Sequence, residues 1–215
     1  EPHRPEPLPP AREAVEDLTI LICTHGDEEW DTLARQRAWP SASGQGATVI
    51  VSYEREMTLA QVRNHAATLA TTEWICFLDA DDELDFGYVD AMRRAVDGNA
   101  LYAPAVKYVD PRRATAPAAI PNAGNDMRRM NSCVVGTLIR WETFYEHGGF
   151  DEWPIYQDWD LFLGVYLSGV PISYVPDAVY KAHVKSKSRN APGDRRLAQR
   201  TYQAIREKHG LNALY

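Results

Sequence analysis

The sequence predicts an α/β fold in one compact domain: a Rossmann-like nucleotide-binding half in which a mixed, mainly parallel central sheet is flanked by helices. Three observations carry this. Apolar runs at 18–23, 48–51 and 74–78 alternate with helix-forming stretches, the spacing of a βαβαβ unit with right-handed crossovers. The helix before the third run opens on the capping-box pair Thr58 and Gln61, and its apolar residues Leu59, Val62, Ala66 and Leu69 recur at spacings of three and four. The third run leads directly into Asp79-Ala80-Asp81-Asp82-Glu83, the place just past a strand's carboxyl end where open parallel sheets bind ligands.

Taken in chain order, five prolines (Pro2, Pro5, Pro7, Pro9 and Pro10) mark residues 1–16 as an extended leader. A strand over 18–23 ends at Thr24-His25-Gly26, and a helix over about 28–39 is expected to stop at Pro40. A Ser-, Ala- and Gly-containing loop at 41–46 precedes the second strand, 48–51, which ends at Ser52-Tyr53-Glu54. After the acid run, Glu83 and Asp85 are expected to open a helix over about 86–96. A strand at 102–109 and a long surface loop at 110–131 follow. Next come a strand at 133–139 and a short helix at 141–147, closed by Gly148-Gly149. A helix at 157–167 has Gly169 past its end. Two short strands at 172–175 and 179–182 precede a final helix from about Asp194 to Gly210. The expected domain is 17–190, with a donor half at 17–109, an acceptor half at 110–190 and a basic C-terminal helix at 191–215.

A hydrophobic content of 45% over 215 residues suits a sizeable single core. No apolar stretch is long enough to span a membrane. Cys23, Cys76 and Cys133 lie in apolar runs without C-x-x-C spacing, which marks them as small buried hydrophobes and favours a reducing, cytoplasmic setting. Net charge is −7, unevenly spread: residues 181–215 hold nine Lys or Arg against two acids, a local +7, so the other 180 residues carry −14. That basic end is read either as a solvated helix face or as a contact to a phosphorylated acceptor, a nucleic acid or an anionic membrane surface, with peripheral attachment through the C-terminal segment.

Clustered carboxylates suit hard divalent cations such as Mn²⁺ or Mg²⁺; the alternative is compensation of a helix dipole. A second acid pair, Asp158 and Asp160, stands in Tyr156-Gln157-Asp158-Trp159-Asp160-Leu161. A metal-binding cluster plus a separate carboxylate is what displacement of a phosphate leaving group requires, the metal neutralising the departing group and the carboxylate taking a proton. Trp153, Tyr156 and Trp159 around that second site serve either as sugar-stacking platforms or as packing.

These segments together resemble the family 2 glycosyltransferases of GT-A fold. The likeness runs over about 18–189: the first strand through Thr24, Arg63-Asn64, Phe77-Leu78-Asp79-Ala80-Asp81-Asp82, Gly148-Gly149-Phe150-Asp151, Gln157-Asp158-Trp159-Asp160-Leu161, Gly169 to Tyr180, and His183. The resemblance implies an inverting, metal-dependent transfer from a nucleotide-diphosphate sugar, with a UDP-sugar favoured. In that frame Asp79 meets the ribose side of the donor, Asp81 binds the metal, and Asp82 and His183 are further metal candidates. Asp158 is the general base. Thr24, His25, Glu54 and Arg63 grip base, ribose or diphosphate; apart from the resemblance, Lys187 and Arg189 follow His183 closely and are candidates to clamp the diphosphate, and Gly149, Trp153 and Trp159 are acceptor-side candidates. Glu54 stands where the family usually has Asp, and Gln157 where it has Glu; loss of that neighbouring charge is expected to lower the Asp158 pKa relative to the usual pair. The acceptor is left open among saccharide, lipid phosphate, protein and nucleic acid. Two other readings are a nucleotidyltransferase, disfavoured because no glycine-rich, lysine-bearing loop follows strand one, and a catalytically inactive nucleotide-sugar-binding domain.

Overall fold

The structure is a computed structural model that describes residues 15–114, 116–184 and 195–211. Lys187, Arg189, the expected N-cap Asp194 and most of the leader lie outside the described residues.

The first sheet has the order β2-β1-β3-β6, built from β1 (Val15–His25), β2 (Thr48–Glu54), β3 (Thr72–Leu78) and β6 (Ile139–Arg140). β1 runs parallel to both β2 and β3, and only β6 is antiparallel. In β1 Leu18, Ile20, Leu21, Ile22 and Cys23 are all buried, as are Trp74 through Leu78 in β3. Strands covered on both faces read as continuous apolar runs rather than alternations, which is why both were visible in the sequence. A second sheet, β4-β7-β5, pairs β5 (Leu101–Val109) in parallel with β7 (Ile172–His183), while β4 (Glu83–Leu84) runs antiparallel to β7. A bridge between Tyr102 and Leu138 ties the β5 strand to the segment leading into β6.

Helices cover the sheets. The capping box of α3 (Leu59–Leu69) forms in both directions: the Thr58 hydroxyl accepts from the Gln61 N–H and the Gln61 side chain accepts from the Thr58 N–H. Its buried face is Leu59, Ala60, Val62, Arg63, Ala66 and Ala67; Leu69, expected on that stripe, is exposed. α5 (Trp141–Glu146), the Gly148-Gly149 turn and β3 meet at a Phe77, Phe144 and Phe150 cluster with ring centroids 4.9 to 5.7 Å apart. Gly149 has φ +69° and a Cβ there would stand 2.5 Å from Asn64 Oδ1, so both backbone and space demand glycine. Asn64 bonds the Phe150 N–H and carbonyl and thereby sets this turn.

Several expectations differ. Pro40 does not stop the first helix, which runs through α1 (Glu28–Leu33), a π segment (Ala34–Ala38) and α2 (Trp39–Ser43). The wider π turn already interrupts the i→i−4 ladder at the point where Pro40 has no N–H to donate. The expected loop at 41–46 therefore begins only after Ser43. Glu83 does not open a helix: it lies in β4 opposite Lys181, and α4 (Tyr88–Ala95) starts after Gly87 at φ +82°. The strand expected at 133–139 shrinks to Ile139 and Arg140. The Val135 carbonyl instead accepts from the Phe77 N–H, and Gly136 lies so close to the Tyr180 ring that a Cβ would overlap it. The two late strands are one strand, β7, with a register shift at Pro104 and Ala105 of its partner. Among its described residues the 110–131 segment has turns and a single bridge, Val106 to Ala119, as expected of a loop.

The C-terminal helix α7 (Arg195–Lys208) docks on α6 (Gln157–Leu167). The Trp159 indole stacks on Tyr202 with centroids 4.8 Å apart, and Asp160, 1% exposed, accepts from Lys208 Nζ at 2.7 Å and bonds His209 Nε2 at 2.8 Å. Lys208 also meets Asp151 at 2.9 Å, and the buried Arg206 donates to the Arg128 carbonyl at 2.6 Å. Part of the +7 of this end is thus spent inside the molecule.

Burial raises the Asp160 pKa, but the bonds from His209 and Lys208 prevail and hold it below the ordinary carboxylate value. A carboxylate depressed in the folded state stabilises above the ordinary carboxylate range and loses that contribution as pH falls through its depressed value. Asp160→Asn should therefore cost about 2 kcal/mol at neutral pH, the scale of a hydrogen bond to a charged group. The gap to wild type should narrow below about pH 4, where unfolded-state carboxyls protonate. Urea melts at both pH values measure this, and an equal gap at both would exclude the ionic anchor.

Candidate active site

A cavity of about 330 Å³ opens where β1 and β3 end, bounded also by α3, β5 and the start of α6. Thr24, His25, Arg63, Asp79, Asp81 and Asp158 all line it. Six residues singled out from the sequence therefore share one wall system, although 134 positions separate the first from the last.

Arg63 organises the centre. Only 5% exposed, it donates to Asp79 Oδ1 at 2.6 Å and to Gln157 Oε1 at 3.1 Å, and its guanidinium lies 4.9 Å from the centre of the Phe150 ring. Gln157 also donates to the Trp153 carbonyl at 2.7 Å, so its amide is fixed from both ends. The glutamine that departs from the family pattern is the link between Arg63 and the α6 N-terminus.

The acid turn is fastened on several sides. Asp82 N–H bonds the Asp79 carbonyl, Arg37 donates to the Asp81 carbonyl at 2.9 Å, and the Tyr180 hydroxyl accepts from the Asp79 N–H at 3.3 Å. Tyr180 donates to Asp82 Oδ2 at 2.8 Å, and the His183 N–H donates to Asp82 Oδ1 at 2.8 Å. Asp82 is buried among these groups, and burial together with the charge of Asp79 pushes its pKa up to about 8. Its carboxylate secures β7 to the turn and is absent from the cavity wall. The His183 ring likewise turns to Glu83 Oε2 at 2.5 Å. Among the described residues no group of three or more His, Cys, Asp or Glu forms a ready-made metal cage. The oxygens of Asp79 and Asp81 still fit a hard divalent cation of the kind held by one or two carboxylates and completed by substrate phosphates.

Asp158 follows Tyr156, whose left-handed φ of +64° turns the chain into α6. Asn131 Nδ2 donates to its Oδ2 at 2.9 Å. Burial raises its pKa, opposed by the charge of Arg63 and by backbone N–H bonds and reinforced by Asp79. Replacing the usual Glu by Gln157 does spare it a neighbouring charge, yet crowding by protein decides the direction, and the net shift is upward from the ordinary value.

Other sequence candidates are used elsewhere. Glu54, at the end of β2 in register with His25, is absent from the cavity wall. Trp159 is 2% exposed, donates to the Met127 carbonyl and stacks on Tyr202: it is core, with no face for a sugar. Trp153 is half-buried and outside the wall, and Gly149 borders a separate depression beside Lys208 and Asp160. The three cysteines are buried, free thiols as expected, pushed by burial up to about 12. Sequence reasoning passed over Trp30, Tyr108 and Asn131. Trp30 and Tyr108 are partly exposed and line the cavity, a position that no local pattern signals.

The fold and the acid-lined cavity define a glycosyltransferase domain of the GT-A type. The family model described as glycosyl transferase family 2 matches residues 16–144, well over half of the chain, and the chain belongs to that family. The matched stretch includes Arg63 and the acid run but ends before Asp158. Nothing matches among curated protein sequences. Among solved structures, S. aureus TarS 1-349 in complex with UDP-GlcNAc superposes with a TM-score of 0.69 at 14% identity, over 93% of this chain and 68% of that one. The same protein with UDP gives 0.64 at 15% identity, over 93% and 67%. A longer S. aureus TarS chain gives 0.64 at 15%, with this chain spanning 40% of it.

Gln157→Glu should raise the Asp158 pKa further, because it adds a like charge beside a crowded carboxylate. Carboxyl-carbon NMR titration of Asp158 measures it; an unchanged or lower value would show that Arg63 absorbs the new charge completely.

Proposed function

We propose that the domain is an inverting, metal-dependent glycosyltransferase that moves a sugar from a UDP-sugar to an acceptor hydroxyl. The observation that carries this is the convergence of Asp79, Asp81 and Asp158 on one cavity, with Arg63 linking the donor-side acid to the residue beside Asp158. Complexes of S. aureus TarS with UDP-GlcNAc and UDP support the choice of donor class.

Thr24 Oγ1 is buried on the cavity wall without a protein partner, a polar atom suited to a donor ribose or base group. Asp79, oriented by Arg63, faces the ribose side. A divalent cation bound at Asp81 would neutralise charge on the leaving diphosphate. Asp158 accepts the proton of the acceptor hydroxyl as that oxygen bonds to the anomeric carbon and the bond to the diphosphate oxygen breaks on the opposite face. Its upward-shifted pKa makes it a stronger base while leaving it ionised at higher pH. The exposed Arg195 and Arg200 of α7 favour an anionic acceptor or surface near this domain. Among the described residues no helix is long and apolar enough to cross a membrane.

UDP with Mn²⁺ at about 100 times its Kd should stabilise the protein by about 2.7 kcal/mol, a rise of about 5–10 °C in melting temperature for this size. Either component alone should give less, and no shift would remove the donor reading. Asp158→Asn should reduce metal-dependent turnover of the matching nucleotide sugar by about 10²- to 10⁴-fold and leave the UDP-dependent melting shift intact. Wild-type turnover in that variant would overturn the assignment of the base.

A further inference from the structure

Asn131 lies in an irregular stretch, yet it is fixed on all sides. Its Nδ2 donates to Asp158 Oδ2 at 2.9 Å, its Oδ1 accepts from the Cys133 N–H at 3.0 Å, and its carbonyl accepts from Asn122 Nδ2 at 2.6 Å. The orientation of the amide follows from its partners, since an N–H requires the oxygen and a carboxylate requires the NH₂. The carbonyls of residues 127–129 are anchored as well. Trp159 Nε1 donates to the Met127 carbonyl at 2.9 Å, Arg206 to the Arg128 carbonyl at 2.6 Å, and the Tyr202 hydroxyl to the Arg129 carbonyl at 3.1 Å.

We propose that Asn131 is a positioning residue for Asp158, holding the carboxylate plane at the angle from which it accepts the acceptor's proton. The proposal rests on Asp158 being the base. A carboxylate turns easily about its last side-chain bond, and a donor fixed on one oxygen removes that freedom. This is the role an orienting third group plays for a base in other enzymes. α7 contributes from behind: through Arg206 and Tyr202 it holds the strand of loop that carries Asn131. The charged and titratable groups acting on Asp158 besides the Asn131 amide are Arg63 from α3 and Asp79 after β3; Tyr108 from β5 and Cys133 lie within its field.

The test compares Asn131→Ala, Asn131→Asp and Asp158→Asn in metal-dependent turnover of a UDP-sugar, with water or an added hydroxyl compound as nucleophile. Asn131→Ala removes a donor to the ionised form, so the Asp158 pKa rises and the acid limb of the rate profile moves to higher pH. The same variant should lose about 10- to 100-fold in kcat at unchanged donor KM, the scale of lost orientation at a catalytic group. Asn131→Asp keeps the volume and the acceptor for the Cys133 N–H but sets a second carboxylate against Asp158, so its acid limb should move further. If Asn131→Asp melts like wild type and keeps its kcat and acid limb while Asp158→Asn is inactive, the base stands and the positioning role is wrong. A kcat loss with an unmoved acid limb also overturns it, since that is what a merely structural asparagine would give. Full turnover in Asp158→Asn would instead overturn the base, and the Asn131 role with it.

Discussion

The buried Arg63 guanidinium is the constraint around which the site is arranged. A cation with little access to water is tolerated only where its hydrogen bonds are matched by acceptors of suitable charge. Here one carboxylate, one amide oxygen and the face of Phe150 supply the match. Asp79 arrives from the end of β3, Gln157 from the start of α6, and Phe150 from the turn that Asn64 holds. Elements distant in sequence are thereby set at fixed distances from one group. The pair with Asp79 is neutral, so Gln157 adds orientation without adding charge. A glutamate there would have left the trio of Arg63, Asp79 and residue 157 with net negative charge.

The same cation helps settle how basic Asp158 becomes. Crowding by protein drives its pKa upward and Arg63 restrains it. A carboxylate driven too high would be protonated and useless as a base, while one fully paired would be a weak base. Arg63 acts on Asp158 through space while its hydrogen bonds go to Asp79 and Gln157.

Much of the fold around the acid turn was legible because its signals are local. Continuous apolar runs announced β1 and β3, the Thr58 and Gln61 pair announced α3, and an acid directly after a buried strand pointed to the turn that now lines the cavity. What was not legible depended on side-chain direction at the strand end. Asp81 and Asp82 are neighbours in sequence, yet Asp81 lines the cavity and Asp82 faces Tyr180 and the His183 N–H. The β7 strand that decides this lies about a hundred residues on. Trp159 failed as a sugar platform for a related reason: its position on α6 is set by Tyr202 on α7, a contact no helical periodicity reveals. Asn131 carried no pattern at all, being one polar residue in a long loop.

The two sides of the cavity are consequently built by different physics. The side formed by Thr24 and the acid turn hangs on parallel strands, whose ladders fix both to the sheet. The side formed by the 110–138 segment has no ladder behind it among its described residues: the backbone there makes turns and isolated bridges. Its order comes from long side chains capping carbonyls, with Trp159, Tyr202 and Arg206 taking three in succession. Side chains of the loop add to this: Asn122 donates to the Asn131 carbonyl, Arg128 pairs with Asp126, and Asn131 itself reaches Asp158 and the Cys133 N–H. The position of Asn131 beside Asp158 therefore depends both on the α7 contacts and on the loop's own side chains.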